Sequence, residues 1–217
     1  MGCFITFEGI EGCGKTTQIR LLAETLQRAG RQVTLTREPG GCPIADKIRA
    51  ILLDAGNSSM TPLAELLLYA AARAQHISEV IVPALARGSI VLCDRFTDAT
   101  VAYQGFGRNL DLSVINQLNL LAAGSCRPDI TLLLDCPVET GLGRAIARIE
   151  ATCASGSGKP LEERFERESR DFHDRVRAGY LSLAAAEPGR FVLIDGSSGI
   201  NHTAESIYRA VADRIAC

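Results

Sequence analysis

The stretch that decides the fold is GIEGCGKTT, residues 9–17, which matches the pattern G-x-x-x-x-G-K-[ST]. A short apolar run at residues 3–7 precedes it, and a helical pattern that begins near Lys15 follows it. The glycines allow backbone N–H groups to turn toward an anion, and the start of a helix adds partial positive charge. The order of strand, glycine loop and helix therefore predicts a phosphate-binding loop, with Lys15 at the β and γ phosphates of a nucleotide and Thr16 at Mg²⁺.

Apolar strands alternate with helical patterns along the rest of the chain. The strand candidates are short and show little alternation, as in a parallel sheet buried on both faces: residues 3–7, 33–36, 90–93, 130–134 and 191–194. Helical patterns cover residues 15–29, 44–54, 62–86, 112–123, 138–149, 161–186 and 203–216. This alternation predicts an α/β fold with a three-layer, doubly wound, parallel five-stranded sheet.

We find no repeat and no domain linker, so residues 1–217 are expected to form a single domain. The one low-complexity patch, residues 154–160, reads ASGSGKP and is flanked by helical patterns. It could be a disordered linker, but its position within one domain favours a mobile lid, which we place at about residues 149–163.

Composition excludes several classes of protein. The chain has 217 residues, 47% of them apolar, with a net charge of −2, so nothing favours nucleic acid or a membrane surface as a partner. No apolar run is long enough to cross a bilayer, and no basic N-terminal region precedes a long apolar stretch. We expect a cytoplasmic protein.

Eight cysteines occur without a C-x-x-C pair, and several fall in or beside predicted buried strands. Reduced thiols that pack as small hydrophobic side chains are therefore favoured over a metal site or disulfides. Cys13 differs because it lies inside the phosphate loop, where it could be a site of oxidative inactivation.

Two of the predicted strands end in a carboxylate, Asp94 and Asp135. A carboxylate at the end of a strand beside the phosphate loop can hold Mg²⁺ through water, next to Thr16. Spacing alone leaves the two residues open, and Asp135 could instead cap the helix that follows it. Asp94 is preferred because Arg95 comes next, at the carboxyl edge of the sheet where ligands bind.

Tyr69 and Arg73 are four residues apart in an otherwise apolar helical pattern and therefore share a face. Such a pair suits a planar base, with the ring stacking on it and the guanidinium bonding a carbonyl edge. The alternative is a core tyrosine beside an arginine that extends to solvent, and without further context it is favoured.

Other polar residues also fall near the expected ligand edge. Residues 37–41, REPGG, follow the second strand, and residues 97–105 are predicted to end in a turn that carries Tyr103 and Gln104. Arginines flank the low-complexity patch, at 144 and 148 before it and at 164, 167 and 170 after it. Most are expected to be solvated, but one or two could clamp a transferring phosphoryl group.

Together these residues make the chain resemble the thymidylate kinases, from Phe4 to the last helix. The resemblance rests on FEGIEGCGKTT, TREPGG, YAAARAQ, CDRFTDATVAYQG, RPDITLLLD and the arginines around the patch. It implies a P-loop nucleoside monophosphate kinase fold with a short lid and transfer of the γ-phosphate of ATP to dTMP, giving dTDP. It also implies Mg²⁺ as cofactor and a homodimer.

The resemblance assigns roles to individual residues. It places ATP at Gly9, Ile10, Glu11, Gly12, Cys13, Gly14, Lys15, Thr16 and Thr17, and the metal at Thr16 and Asp94. It places dTMP at Glu11 (sugar 3′-hydroxyl), Pro39, Arg49 and Arg95 (phosphate), Tyr69 (base stacking), Arg73 (thymine O4), and Tyr103 and Gln104 (deoxyribose and base wall). The catalytic residues implied are Lys15, Arg95 and Arg148.

Arg148 is chosen because some family members carry a catalytic arginine in the phosphate loop, whereas residues 10–13 here contain none. The charge should then come from the lid, as in the bacterial type, with Arg144 or Arg164 as alternatives. The chain departs from the family pattern at Cys42, where threonine is common, and at Phe96, where tyrosine or histidine often occurs. The lid is also longer than usual.

Overall fold

Five parallel strands form one sheet at the centre of the molecule. In this computed structural model, which describes residues 2–154 and 164–215, the strand order is β2-β3-β1-β4-β5. The strands are β1 (Cys3–Glu8), β2 (Val33–Arg37), β3 (Ile90–Asp94), β4 (Ile130–Asp135) and β5 (Phe191–Asp195). The predicted parallel five-stranded sheet is confirmed.

Helices cover both faces of this sheet. They are α1 (Lys15–Arg28), α2 (Pro43–Leu53), α3 (Pro62–His76), α4 (Val82–Ala86), α5 (Thr97–Thr100), α6 (Leu112–Ala123), α7 (Val138–Ala154), α8 (Arg170–Ala186) and α9 (Ile200–Ile215). Successive side chains of β1 enter different clusters: Phe4 packs with Ile81 near α4, whereas Ile5 packs with Leu22 of α1. The strands are therefore apolar on both faces, as the sequence pattern predicted.

Each strand is one residue longer than predicted. The added residues are charged: Glu8, Arg37, Asp94, Asp135 and Asp195. Their backbones still pair with the neighbouring strand, as Asp135 does with Asp195, although their side chains reach the carboxyl edge of the sheet. The apolar run in each sequence therefore ends one residue before the hydrogen-bonded strand does.

Two segments contain π-helical turns that the sequence pattern did not predict. Residues 62–86 were predicted as one helix, and they are helical throughout but contain a π-helical turn at Ile77–Ile81. The turn predicted within residues 97–105 is wrong: α5 continues directly into a π-helical segment, Val101–Gly107, which packs against α8. Polar side chains of this stretch are buried inside the protein, among them Asp98, Thr100 and Gln104.

Other helix bounds shift at their ends. The helix predicted from residue 161 begins at Arg170, where the Ser169 hydroxyl accepts a hydrogen bond from the Phe172 N–H. Helix α7 runs to Ala154, beyond the predicted residue 149. The rest of the predicted lid, residues 155–163, lies outside the described residues. Within the described part of the chain, we find no helix with the length and apolar character needed to cross a lipid bilayer.

Candidate active site

A cleft of about 920 Å³ opens at the carboxyl edge of the sheet. The phosphate loop borders it on one side and α3 with the π-helical segment on the other. The cleft is lined by nearly all the predicted site residues: Glu11, Gly12, Cys13, Gly14, Lys15, Thr16, Thr17, Pro39, Arg49, Tyr69, Arg73, Asp94, Arg95, Tyr103, Gln104 and Arg148. Gly9 and Ile10 lie behind it and contribute backbone carbonyls to the loop.

The phosphate loop closes around the Lys15 ammonium group. Lys15 is buried, and its Nζ donates to the carbonyls of Gly9 at 2.9 Å and Ile10 at 2.7 Å. Gly12 has a φ of 67°, and a Cβ there would lie 1.9 Å from the Gly141 carbonyl of α7. Only glycine fits such a close backbone approach, so the loop conformation depends on the sequence pattern itself.

Thr16 and Asp94 meet beneath the phosphate loop. The Thr16 hydroxyl donates to Asp94 Oδ2 at 3.2 Å, and both residues line the cleft. Asp135, the alternative carboxylate, is bound by Arg177 through two hydrogen bonds of 2.6 and 2.7 Å and is not among the lining residues. Within the described residues no three His, Cys, Asp or Glu side chains form a metal-binding group, so a metal here would take further oxygens from phosphate and water.

Arg95 and Glu11 form a salt bridge at the centre of the cleft. Arg95 has a φ of 70°, and its Nη2 lies 2.9 Å from Glu11 Oε1. Tyr103 donates to the same oxygen at 2.5 Å, and the Arg95 guanidinium lies 4.7 Å from the Tyr103 ring centroid. Burial alone would raise the pKa of Glu11, but the Arg95 charge and hydrogen bonds hold that pKa well below its usual range.

The second oxygen of Glu11 faces His173, a residue that sequence reasoning missed. His173 is fully buried in α8, its Nε2 lies 3.1 Å from the Phe165 carbonyl, and its Nδ1 lies 3.3 Å from Glu11 Oε2. Neither Glu11 Oε2 nor His173 Nδ1 has a hydrogen-bond partner of acceptable geometry in the described structure. Glu11 Oε2 is therefore enclosed in the protein against the His173 imidazole, on the side of the carboxylate opposite Arg95.

Arg73 is almost wholly buried, at 2% exposure, yet it lines the cleft. Its donors reach Glu38 Oε2 at 2.8 Å, Asn119 Oδ1 at 2.7 Å, the Phe96 carbonyl at 3.0 Å and the Thr100 hydroxyl at 2.9 Å. The guanidinium does not extend to solvent, so the alternative interpretation of the Tyr69–Arg73 pair is wrong for Arg73. Tyr69 is half-buried on the same wall, and burial raises the pKa of its hydroxyl.

A second buried carboxylate, Glu8, supports Arg95 from behind and was also missed. Arg95 Nη1 donates to the Tyr180 hydroxyl at 3.1 Å, and that hydroxyl donates to Glu8 Oε2 at 2.7 Å. The Phe96 N–H donates to Glu8 Oε1 at 2.7 Å. Burial, with the Asp98 charge nearby, raises the pKa of Glu8 to about 8. No local motif marks this chain of contacts.

The arginines proposed for phosphate contacts differ in their surroundings. Arg49 donates to the Pro39 carbonyl at 2.9 Å, and Arg144 donates to the Gly196 carbonyl at 2.9 Å. Arg148 is 62% exposed and lies 3.5 Å from Glu166. Arg164 is buried against Glu65 and is not among the cleft-lining residues, which sets it apart from the other lid candidates.

Six cysteines are free thiols: Cys3, Cys13, Cys42, Cys93, Cys126 and Cys136. Burial raises the pKa of Cys3 to about 12 and that of Cys136 to about 11, which favours the neutral thiol. Cys13 lies in the loop, with its sulfur 3.4 Å from Lys15 Nζ.

Comparisons with known proteins agree on one family. A sequence model described as "Thymidylate kinase" matches residues 7–207. Proteins named thymidylate kinase from Citrifermentans bemidjiense and Geobacter sulfurreducens are 68% and 64% identical over 215 residues, covering 99% of this chain and 93% and 99% of theirs. The crystal structure of a thymidylate kinase from Ehrlichia chaffeensis superposes with a TM-score of 0.76 at 35% identity, covering 97% of this chain and 98% of that one.

Proposed function

Because the chain belongs to the thymidylate kinase family, we propose that its cleft holds ATP and dTMP with their phosphates facing each other. The chain is an ATP-dependent nucleoside monophosphate kinase that transfers the γ-phosphate of ATP to dTMP, giving dTDP. The proposal for the site rests on one observation above all: the phosphate loop and the Tyr69–Arg73 wall border the same cleft.

On the ATP side, we propose that the loop N–H groups and the start of α1 bind the phosphates, with Lys15 at the β and γ positions. The hydroxyl of Thr16 and the carboxylate of Asp94, 3.2 Å apart, fit a hard cation that prefers oxygen ligands. We therefore propose that Thr16 binds Mg²⁺ directly and Asp94 through water. When bound, the ion would neutralise charge between the β and γ phosphates.

On the acceptor side, we propose that each part of dTMP meets a different group. Arg95 and Arg49 bind the phosphate, with Pro39 beside them, and the Glu11 carboxylate, which lines the cleft, receives the 3′-hydroxyl. Tyr103 packs against the deoxyribose. The base stacks on Tyr69.

The remaining donor of Arg73 supports its assignment to the base. A guanidinium carries five N–H donors. Glu38, Asn119, the Phe96 carbonyl and Thr100 accept from Arg73, which leaves one N–H of Nη1 without a partner among the described residues. We propose that this N–H donates to O4 of thymine.

Phosphoryl transfer needs cationic support around the γ-phosphate beyond Lys15. Arg148 lies on α7 at the edge of the cleft, and its exposed guanidinium has only a 3.5 Å contact with Glu166 among the contacts described. We propose that it turns onto the transferring group when both substrates are bound. Arg144 lines the same cleft and is the alternative.

We also propose that the chain forms a homodimer through α3 and α6. These helices pack against each other and carry large exposed apolar side chains: Leu63, Leu67, Val114, Leu120 and Leu121. Leu121 is 82% exposed, and an apolar surface of this kind marks an interaction site. We further propose a cytoplasmic location, which free thiols and a nucleotide substrate favour.

A coupled assay with ATP and a panel of acceptors tests the assignment of the acceptor site. We expect the highest kcat/KM for dTMP, a lower value for dUMP, and much lower values for dCMP, dGMP and thymidine. A deoxynucleoside kinase would prefer thymidine, and a nucleotide-gated switch would turn over slowly with every acceptor. Preference for thymidine over dTMP would contradict the phosphate-binding roles of Arg49 and Arg95.

A further inference from the structure

Glu65 is a buried carboxylate that gathers donors from two other segments of the chain. It lies in the first turn of α3, at 1% exposure, and is not among the cleft-lining residues. Gln104 Nε2 donates to its Oε1 at 2.7 Å. Arg108 reaches both oxygens, at 3.4 and 3.3 Å, and Arg164 donates to Oε2. The carboxylate is thus surrounded by donors.

This arrangement determines which way the Gln104 amide faces. A carboxylate paired with guanidinium groups accepts hydrogen bonds and donates none, so Gln104 must present its NH₂ group to Glu65. The amide oxygen then has to face elsewhere, and it has no partner among the described residues. Because Gln104 lines the cleft, this oxygen is the amide atom that a ligand can use.

We propose that Glu65 is a positioning residue for base selection, because it commits Gln104 to act as an acceptor in the base pocket. The inference rests on the proposed function, which places the base at Tyr69, Arg73 and Gln104. Arg73 offers a donor and Gln104 an acceptor, which match the O4 acceptor and the N3–H donor of thymine. Cytosine presents an amino donor and a bare N3 acceptor at the same edge, so it meets two mismatches.

The two arginines depend on Glu65 less than Gln104 does. Arg108 also pairs with Glu168 at 2.7 Å, and Arg164 also donates to the Leu52 carbonyl at 2.6 Å. The Gln104 side chain has Glu65 as its one hydrogen-bond partner within the described structure. Changing Glu65 should therefore free the orientation of the amide while both guanidinium groups keep a partner.

The test is the ratio of kcat/KM for dTMP to that for dCMP. In Glu65→Gln, the new amide can offer either its oxygen or its NH₂ to Gln104, so the Gln104 amide can turn over. We expect the ratio to fall about tenfold or more. The exchange variant Glu65→Gln/Gln104→Glu restores a carboxylate oxygen toward the base, and we expect it to recover most of the ratio. Arg108→Gln, the matched control, weakens the same cluster and should leave the ratio within about twofold.

The outcomes separate the inference from the function on which it rests. If Gln104→Ala leaves the ratio unchanged, the assignment of the base pocket is wrong. If Gln104→Ala lowers the ratio but Glu65→Gln does not, the inference fails and the proposed pocket stands. Equal losses in Glu65→Gln and Arg108→Gln would reduce Glu65 to a structural role and overturn the inference. If Glu65→Gln does not fold, the exchange variant alone decides: a retained ratio supports the inference, and a lost ratio overturns it.

Discussion

Replacing Arg73 with alanine should weaken both the fold and the binding of dTMP. The guanidinium is 2% exposed and lies between α3, α6 and the segment after β3. Its Nε forms a buried ion pair of 2.8 Å with Glu38, and its other donors satisfy Asn119, the Phe96 carbonyl and Thr100. One side chain therefore supports the protein and, in the proposed function, the base.

Two magnitudes follow from these contacts. Removing one partner of a buried ion pair costs about 3–5 kcal/mol because the other charge is left uncompensated, although His76 at 3.0 Å still contacts Glu38. That is a large share of the roughly 5–15 kcal/mol by which a domain is stable. The lost contact to O4 should cost about 1–3 kcal/mol more in binding, which corresponds to about a 5–150-fold rise in the KM for dTMP.

Urea unfolding and steady-state kinetics measure the two effects separately. Asn119→Ala is the matched control, because it removes a partner of Arg73 without removing a proposed contact to the base. We expect it to lower the free energy of unfolding with little change in the KM for dTMP, and Arg73→Ala to change both. The acceptor assignment is refuted if Arg73→Ala raises the KM for ATP as much as that for dTMP. An unchanged free energy of unfolding would refute the reasoning from the buried ion pair.

Three further predictions concern other parts of the site. Lys15→Ala should lower kcat about a hundredfold or more with an unchanged circular dichroism spectrum, and near-normal turnover would contradict its role at the phosphates. Arg148→Ala should lower kcat about a hundredfold or more with small changes in both KM values, whereas a change of only a few-fold would move the role to Arg144. The pKa of Glu8 is raised to about 8, so the folded state binds this proton more tightly than the unfolded state, and stability should fall as the pH rises from about 4.5 through 8. Glu8→Gln should show a smaller fall in Tm between pH 5 and pH 8 than the wild type. An equal fall would contradict the role of Glu8 in the pH dependence of stability.

Local pattern was enough to predict the sheet and the phosphate loop, because both depend on residues close together in sequence. The strands follow from short apolar runs, and the loop follows from residues 9–17 with the strand and helix beside them. The turn predicted at the end of residues 97–105 is wrong, because polar side chains of this stretch are buried in a helical segment. In the structure Asp98 is buried and bound by Arg190 through two hydrogen bonds of 2.6 and 2.9 Å, so the fold supplies the partners that solvent would otherwise provide.

The supporting residues of the site could not be predicted in the same way, because each depends on a partner far along the chain. Tyr180 and Glu8 are separated by 172 residues, and Gln104 and Glu65 by 39. A buried polar residue carries no signal of its own until the fold shows what it contacts. His173 illustrates this: only the fold brings it within 3.3 Å of Glu11, from which it is separated by most of the chain.

The roles proposed for Arg73 and Arg95 explain why arginine would be needed at these positions. Arg95 donates from Nη1 to the Gly9 carbonyl and Tyr180 and from Nη2 to Glu11. Among the described residues this leaves Nε–H and one N–H of Nη2, which the proposed function assigns to a phosphate. Arg73 likewise uses four of its five N–H donors within the described part of the protein, which leaves one N–H of Nη1. A lysine has all its donors on a single nitrogen and could not hold the wall and reach a substrate in two directions at once. The contacts within the protein hold each guanidinium in place without a ligand, so if the proposed roles are correct, little side-chain entropy would be lost when a substrate binds.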